Sequence, residues 1–290
     1  MKFASYNIQY GTGKDGIVDL ARIAADIGDA DVIALQEVEQ FNSTTAMTDQ
    51  VAELSALFPR HYVTYGPGVD LDASHTDTDG RVINRRRQFG NMLLSKTPII
   101  SSRNHLLPKY GLAGPLALQR SALEGVIDGD LGLMRVYSVH LGHAAAPERA
   151  LQIRSLLKTV RNAPRHGGAW SGKQAGRHWT TDGPQPPMPA PALLMGDFNL
   201  EPDSSEYEQL VGPSDRHYGR LTRLDGLVDI WTRLGQPLDG AAGKTCPDEK
   251  GDKRIDYAFA TVALAERATA MRVDQQAQGS DHQPLFIDFD

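Results

Sequence analysis

Gly196-Asp197-Phe198-Asn199 follows directly on residues 192–195, an apolar run of the kind that forms a buried strand. A carboxylate and a carboxamide two residues apart at a strand end can face the same way. Asp197 is then placed to bind a cation or activate a water, and Asn199 to donate to a phosphoryl oxygen. An Asx turn closing a strand uses the same residue types, so this motif alone leaves both readings open. Gln36-Glu37 ends a second apolar run, residues 32–35, and Asn7 stands near the end of a third, residues 2–8. A hard cation such as Mg2+ takes a few oxygen ligands and keeps several waters, which one Glu, one Asp and a carboxamide supply. A solvated Glu at a strand end is the plainer alternative. Ser280-Asp281-His282 precedes a last apolar run, and Arg254-Ile255-Asp256-Tyr257 opens another. There the Asp281 carboxylate can hold metal while the His282 imidazole meets a phosphate, with Asp256 orienting that imidazole and stabilising its charged form. His140, within Ser138-Val139-His140-Leu141, has the type and setting of a satisfied core histidine as much as of a catalytic one.

These residues need elements to hold them. Leu20, Ile23, Ala24 and Ile27 share one face of a helix within residues 18–27, between the runs at 2–8 and 32–35. Strand, helix, strand with parallel neighbours puts Asn7 and Glu37 on one edge. Further strands are predicted at 62–65, 91–94, 122–127, 133–139, 192–195, 255–259 and 285–289, and helices at 47–57, 147–160 and 204–210. Many short strands with few intervening helices predict two packed mixed sheets flanked by helices. Two polar stretches, about 69–88 and 162–191, exceed ordinary loop length and are expected to be loops at the active site. The first carries Arg85, Arg86 and Arg87, which suit a phosphate or sulfate. The second carries Arg165, His166, Lys173, Arg177 and His178, with Trp170 and Trp179 able to stack on a base, a sugar or a choline-like group. Neither stretch separates two self-contained patterns, so residues 1–290 are read as a single domain.

Bulk composition narrows the function. A chain of 290 residues, 40% of them hydrophobic, can bury a sizeable core. The net charge of -6 argues mildly against a surface built to track nucleic acid and adds weight to a small phosphorylated substrate. Cys246 is the single cysteine, which excludes an internal disulfide and a Cys-rich zinc site. No leader-like segment and no run of about 18 apolar residues is visible, so a cytoplasmic protein with no membrane insertion is expected. The oligomeric state is left open.

Taken together, the motifs resemble the endonuclease/exonuclease/phosphatase superfamily, the deoxyribonuclease I-like fold, from end to end. Asn7 matches its first-strand Asn and Leu35-Gln36-Glu37-Val38 its metal-binding Glu motif. Gly90-Asn91-Met92-Leu93-Leu94-Ser95 and Gln119-Arg120 look like its middle motifs, with Asn91 and Arg120 facing substrate, and Val139-His140-Leu141 its central His. The Asp197, Asp256 and His282 segments look like the last three, in order. The resemblance implies a four-layer α/β sandwich of two mixed sheets covered by helices. It implies that Glu37, with Asn7 and Asp281, holds Mg2+ or Mn2+, and that Asp197 positions or activates water. Asn199 then orients that water or the phosphate, and both Asp197 and Asn199 lie within reach of the metal. His282 with Asp256 stabilises the pentacovalent phosphate, and His140 contacts a phosphate oxygen or the leaving group. Whether His282 or Asp197 is the base stays open.

Two other classes compete. Gly11-Thr12-Gly13-Lys14-Asp15-Gly16 is a literal GxGxxG between strand and helix, the dinucleotide-binding pattern. The helix begins only after Gly16, however, and that reading leaves the later motifs unexplained. A non-catalytic binding module on the same fold would lack some of the acids or the last His, and none is missing. The expectation is a metal-dependent phosphodiesterase or phosphatase acting on a soluble small compound, with DNA or RNA cleavage as the alternative. An exposed apolar hairpin of the kind bacterial sphingomyelinases use to enter membranes is not found.

Overall fold

A computed structural model of the protein describes residues 1–172 and 183–290. Among the described residues, twelve strands build the two main sheets: β1 (Lys2–Asn7), β2 (Val32–Gln40), β3 (Tyr62–Asp72), β4 (Arg86–Ser95), β5 (Ile99–Leu106), β6 (Ser121–Gly129), β7 (Gly132–His140), β8 (Ala192–Asp197), β9 (Leu227–Asp229), β10 (Asp256–Thr261), β11 (Ala268–Val273) and β12 (Leu285–Phe289). They form two six-stranded sheets, ordered β11-β12-β1-β2-β4-β3 and β9-β10-β8-β7-β6-β5. Each sheet has one parallel pair near its middle, β1 with β2 and β8 with β7, while the other pairs are antiparallel. A parallel pair ends both strands on one edge. Asn7 and Gln36 are therefore in register in the first sheet, and Asp197 and His140 in the second.

Alternation along the strands explains the layering. Phe3, Val32 and Ala34 pack between the sheets with Val136, Leu193 and Met195, while Ala4, Tyr6, Ile33 and Leu35 face outward. Those outward residues meet α1 (Leu20–Ile27) and α2 (Gln50–Leu57). Over the other sheet, α3 (Ala146–His166) and α4 (Ser205–Val211) cover Tyr137, Val139, Leu194 and Phe259. Both faces of the central strands are thus buried, which is why they read as nearly continuous apolar runs. The result is the expected four-layer α/β sandwich. Its α1 presents Leu20, Ile23 and Ile27 inward, as the sequence predicts. Asp19 caps this helix through the N–H groups of Ala21 and Arg22, so its start is occupied by the chain's own carboxylate rather than left for a pyrophosphate. Gly11 lies in a separate 3-10 turn ahead of it, and the dinucleotide pattern has no structural counterpart.

The two expected loops come out differently. Residues 69–88 are mostly a β-hairpin: β3 runs on to Asp72, β4 starts at Arg86, and a small ribbon pairs His75–Thr76 with Val82–Ile83. Local polarity hid this, because a hairpin projecting beyond the core has no apolar face to advertise it. In the second stretch, α3 continues to His166, and the chain then returns to β8 at its N-terminal end. Arg135, at the start of β7, binds the carbonyls of Val160, Pro189 and Ala190 there. No described helix is long and apolar enough to cross a membrane.

Candidate active site

Four strand ends meet at one edge of the sandwich. Asp197 ends β8, and its position depends on Gly196, whose φ is +146° and whose missing Cβ would stand 1.9 Å from the Val139 carbonyl oxygen. Only glycine lets β8 lie this close to β7. Asn199 follows in the left-handed region at φ 52°, which Asn tolerates, and its backbone N–H donates to Asp197 Oδ1 at 2.8 Å. Asp197 Oδ2 accepts from Asn7 Nδ2 and Asn199 Nδ2, both at 3.1 Å, and lies 3.3 Å from His140 Nε2. Burial alone would raise this carboxyl; the His140 hydrogen bond, the nearby His282 and the Asn199 N–H outweigh it and hold it well below the usual carboxylate range.

Glu37 arrives by a bulge. The β2–β4 register slips between Leu35 and Val38, and Glu37 takes φ 62°. A non-glycine residue there costs about 1 kcal/mol or more, a strain of the kind that collects at functional sites. Its Oε1 reaches within 3.9 Å of His140 Nε2. Beneath it, Gln36 Nε2 donates to Ser138 Oγ and Ser138 Oγ to the Leu35 carbonyl, each at 2.8 Å, tying the two sheets together under the site. Burial pushes the Glu37 carboxyl up to about 7, with Arg120 pulling it down and Asp197 and Asp281 adding repulsion.

His282 is held by Asp256, whose Oδ2 lies 2.8 Å from Nδ1, while Nε2 stands 3.9 Å from Asp197 Oδ2. Burial would lower the imidazolium, and the Asp256 carboxylate overrides it, so His282 titrates well above an ordinary histidine. Ser280 fixes the segment by donating to the Asn7 carbonyl at 2.7 Å and accepting from the His282 N–H. Arg254 anchors the start of β10 from below, through both oxygens of the buried Asp229.

Arg120 organises the other flank. Its Nη1 is 3.0 Å from His140 Nδ1 and its Nη2 is 3.1 Å from His143 Nδ1. A guanidinium only donates, so both rings accept at Nδ1 and carry their proton on Nε2. Burial, followed by the Arg120 charge, lowers His140 to about 4, which makes it a neutral N–H donor toward Asp197. His143 is exposed, a residue that sequence reasoning missed. Its proximity to the His140 motif, three residues on, was the only signal. Asn91 is buried beside them; its Nδ2 is spent on the Ser121 carbonyl and hydroxyl, and its Oδ1 has no protein partner.

The arginine run divides. Arg85 stacks over the Phe41 ring at 4.7 Å, Arg86 pairs with Asp70 at 2.8 Å, and only Arg87 lines a cavity next to the site. The strand alternation of β4 turns Arg86 to the opposite face. Trp170 follows the end of α3, where the Gly167 carbonyl accepts from Arg103 of β5 and Gly168 abuts Pro186. Arg177 and Trp179, with Lys173 and His178, lie outside the described residues.

Glu37 feels the charges of Asp197 and Asp281, and the Asn7 carboxamide binds Asp197, so this edge offers carboxylate and carboxamide oxygens of the type a hard divalent cation takes. Asp197, Asp256 and His282 also bring ligand atoms within 4.8 Å of one another. Asp256 is engaged with His282 Nδ1, so that trio is an oriented imidazolium beside an acceptor rather than a second metal centre.

Fold and site together define a metal-assisted hydrolase with carboxylates and histidines at one edge of an α/β sandwich. The model of the Endonuclease/Exonuclease/phosphatase family matches residues 4–282, and the chain belongs to that family of divalent-metal-dependent phosphoester hydrolases. Among solved structures it is similar to an endonuclease/exonuclease/phosphatase from Beutenbergia cavernae, at 23% identity and TM-score 0.65, covering 99% of this chain and 70% of that one. It is similar to a mannosyl-6-phosphatase from Bacteroides thetaiotaomicron, at 18% identity and TM-score 0.65 over 100% and 99% of the two chains. D. rerio TDP2, in complex with a single-strand DNA product, is similar at 16% identity and TM-score 0.60 over 100% and 98%. No curated protein matches the chain.

Proposed function

We propose that this chain, as one domain, hydrolyses a phosphate ester of a soluble small compound, using Mg2+ or Mn2+ held by Glu37, Asn7 and Asp281. The observation that carries the reading is the completeness of the constellation: acceptor, neutral donor and charged donor meet on one edge, with His140 Nε2 and His282 Nε2 3.3 and 3.9 Å from Asp197 Oδ2 and Asp256 behind His282 at 2.8 Å. A bound divalent cation supplies Lewis-acid stabilisation of the phosphoryl oxygens. Asp197, kept ionised by its neighbours, accepts a hydrogen bond from the attacking water and orients it, with Asn199 fixing the carboxylate. A strongly depressed pKa suits Asp197 to orientation more than to proton storage. His282, kept charged by Asp256, donates from Nε2 to the phosphoryl oxygens as negative charge builds there. His140 directs its Nε2–H at Asp197 and holds that carboxylate in place; His143, set as the Nε2–H tautomer by Arg120, donates to the phosphate or the leaving group, and Asn91 Oδ1 accepts from a substrate hydroxyl.

Similar structures on this fold include a mannosyl-6-phosphatase and a TDP2 in complex with a single-strand DNA product, so a nucleic-acid end is the second reading. The net charge of -6 favours the first. Hydrolysis of bis-p-nitrophenyl phosphate, p-nitrophenyl phosphate and plasmid DNA, each with Mg2+, Mn2+ or EDTA, tests the proposal. Metal-dependent ester cleavage without nicking is expected; nicking as the dominant activity transfers the assignment to a nuclease.

A further inference from the structure

The face of the second sheet that α3 covers is apolar along Tyr137, Val139 and Leu194, where Ile153, Leu156 and Val160 meet it. Toward the edge strand β5 that packing gives way to charge. Strand alternation sends Asn104 toward the first sheet, where its Nδ2 donates to the Pro67 carbonyl at 2.8 Å, and turns Arg103 and His105 under the helix. Opposite them, one face of α3 presents Ser155, Lys158, Thr159 and His166. Between these two walls lies a cavity of about 300 Å3, whose lining includes the buried Glu124 of β6. Glu124 is in register with Tyr137, three residues back from His140 along β7, and that odd spacing puts the Tyr137 and His140 side chains on opposite faces. The sheet itself therefore separates this cavity from the reacting centre, about 10 Å further along the strand.

The lining carries one carboxylate against an arginine, a lysine and two imidazoles. That carboxylate is already engaged. Glu124 Oε2 accepts from the Tyr137 hydroxyl and stands 3.4 Å from His105 Nε2, while Oε1 is 4.0 Å from Arg103 Nε. Burial would raise this carboxyl; His105, Tyr137 and Arg135 outweigh it and hold it below the usual range. Its charge offsets one cation and keeps Arg103 and His105 in place under the helix. The donors facing the cavity are unspent. Arg103 gives Nη2 to the Gly167 carbonyl, and among the described residues its Nη1 has no acceptor. Lys158 Nζ has no ion pair or hydrogen bond among them, and the Ser155 and Thr159 hydroxyls donate to none of them. We propose that this cavity binds a small tetrahedral oxyanion, inorganic phosphate or the phosphate group of a small compound, separately from the reacting centre. Guanidinium, ammonium and hydroxyl donors on two facing walls suit an anion whose oxygens point several ways, whereas a planar carboxylate would engage one wall. The volume stands at the small end for ligand pockets, so the occupant is one such group with at most a short organic part. None of the groups assigned to hydrolysis takes part, and the site stands or falls without that assignment.

NMR of the histidine side chains in the full-length protein with Mg2+ distinguishes the two places. His105 and His166 report the cavity, and His143 and His282 report the catalytic edge. Phosphate, sulfate, propylphosphonate and chloride are titrated at equal ionic strength into the wild-type protein and Lys158→Ala. The carbon–phosphorus bond of propylphosphonate leaves no ester to cleave, and Lys158 is exposed on α3, where Ala is a good helix former, so the fold is kept. The expected result is a saturable shift of His105 and His166 with phosphate and sulfate and none with chloride. In Lys158→Ala the affinity read at those two rings should fall about tenfold, while the responses of His143 and His282 stay as they are. Tighter binding of propylphosphonate than of phosphate at the cavity identifies a phosphorylated compound as the source of the group, and the reverse identifies the free anion. A response confined to His143 and His282, a response at His105 and His166 that chloride reproduces, or one that Lys158→Ala leaves unaltered, overturns the proposal.

Discussion

Replacing Asp256 by Asn isolates one electrostatic contribution without altering shape. The amide oxygen can still accept from His282 Nδ1, so ring orientation is kept, and the backbone N–H of residue 256 stays on Thr245 Oγ1 at 3.1 Å. What disappears is the negative charge 2.8 Å from the imidazole, in a pocket where Asp256 and His282 are 3% and 7% exposed. A hydrogen bond to a charged partner contributes about 1.5–3 kcal/mol, which corresponds to a roughly ten- to 150-fold loss of kcat/KM if His282 must be charged in the transition state. The pH dependence carries the sign. With Asp256 present, His282 titrates well above its ordinary value and remains a donor through neutrality. Without it, only Cys246 and the Asp197 charge oppose burial, and the proton leaves at a lower pH than in the wild-type protein. The variant should therefore lose activity between pH 6 and 8 where the wild-type protein does not. Steady-state kinetics on bis-p-nitrophenyl phosphate with Mn2+ across that range, with circular dichroism as the fold control, is the assay. A variant with wild-type kcat/KM and an unshifted profile would refute the role of the Asp256–His282 pair.

Three further outcomes follow from the geometry. Because burial pushes Glu37 up to about 7, metal binding must displace its proton below that pH; titration calorimetry with Mn2+ should show affinity falling as pH drops, by roughly tenfold per unit for a single displaced proton, and Glu37→Gln should abolish that dependence. Gly196→Ala puts a methyl 1.9 Å from the Val139 oxygen and should cost about 3 kcal/mol or more in urea unfolding, with activity lost as β8 shifts. Arg120→Lys cannot span both histidines, and kcat should drop roughly tenfold or more as His140 and His143 lose their fixed tautomers; Nδ1 and Nε2 chemical shifts would report the change.

The sequence carried the centre of the molecule better than its periphery. Residues on β1, β2, β7, β8 and β12 stand in the interior, so their apolar runs mark β1, β7, β8 and β12 within a residue or two and the first half of β2, which runs on five residues past Leu35 to Gln40, and they put Asn7, Asp197 and His140 on one edge. Strands with one solvated face were harder: β5 alternates half-buried and exposed positions with Ser, Arg, Asn and His among them, and no apolar run marks it. Glu37 was legible as a residue but not as a bulge, because its left-handed backbone is imposed by the pairing with β4 rather than by local preference. His143 was invisible as a site residue since only the Arg120 side chain, from another strand, gives it a role. Arg86 shows the opposite error: a residue type suited to phosphate was assigned to the site on type alone, whereas strand alternation turns its side chain away to Asp70.

The central claim is that Asp197, at the focus of the cluster, is required for metal-dependent cleavage of a phosphate ester. Single-turnover hydrolysis of an activated diester by wild-type protein and Asp197→Asn, with Mn2+ and after EDTA, measures this directly. The prediction is a rate abolished by EDTA, restored by Mn2+, and reduced roughly a thousandfold in a folded Asp197→Asn protein. Retention of the wild-type rate by that variant, or cleavage unaffected by EDTA, would contradict the account.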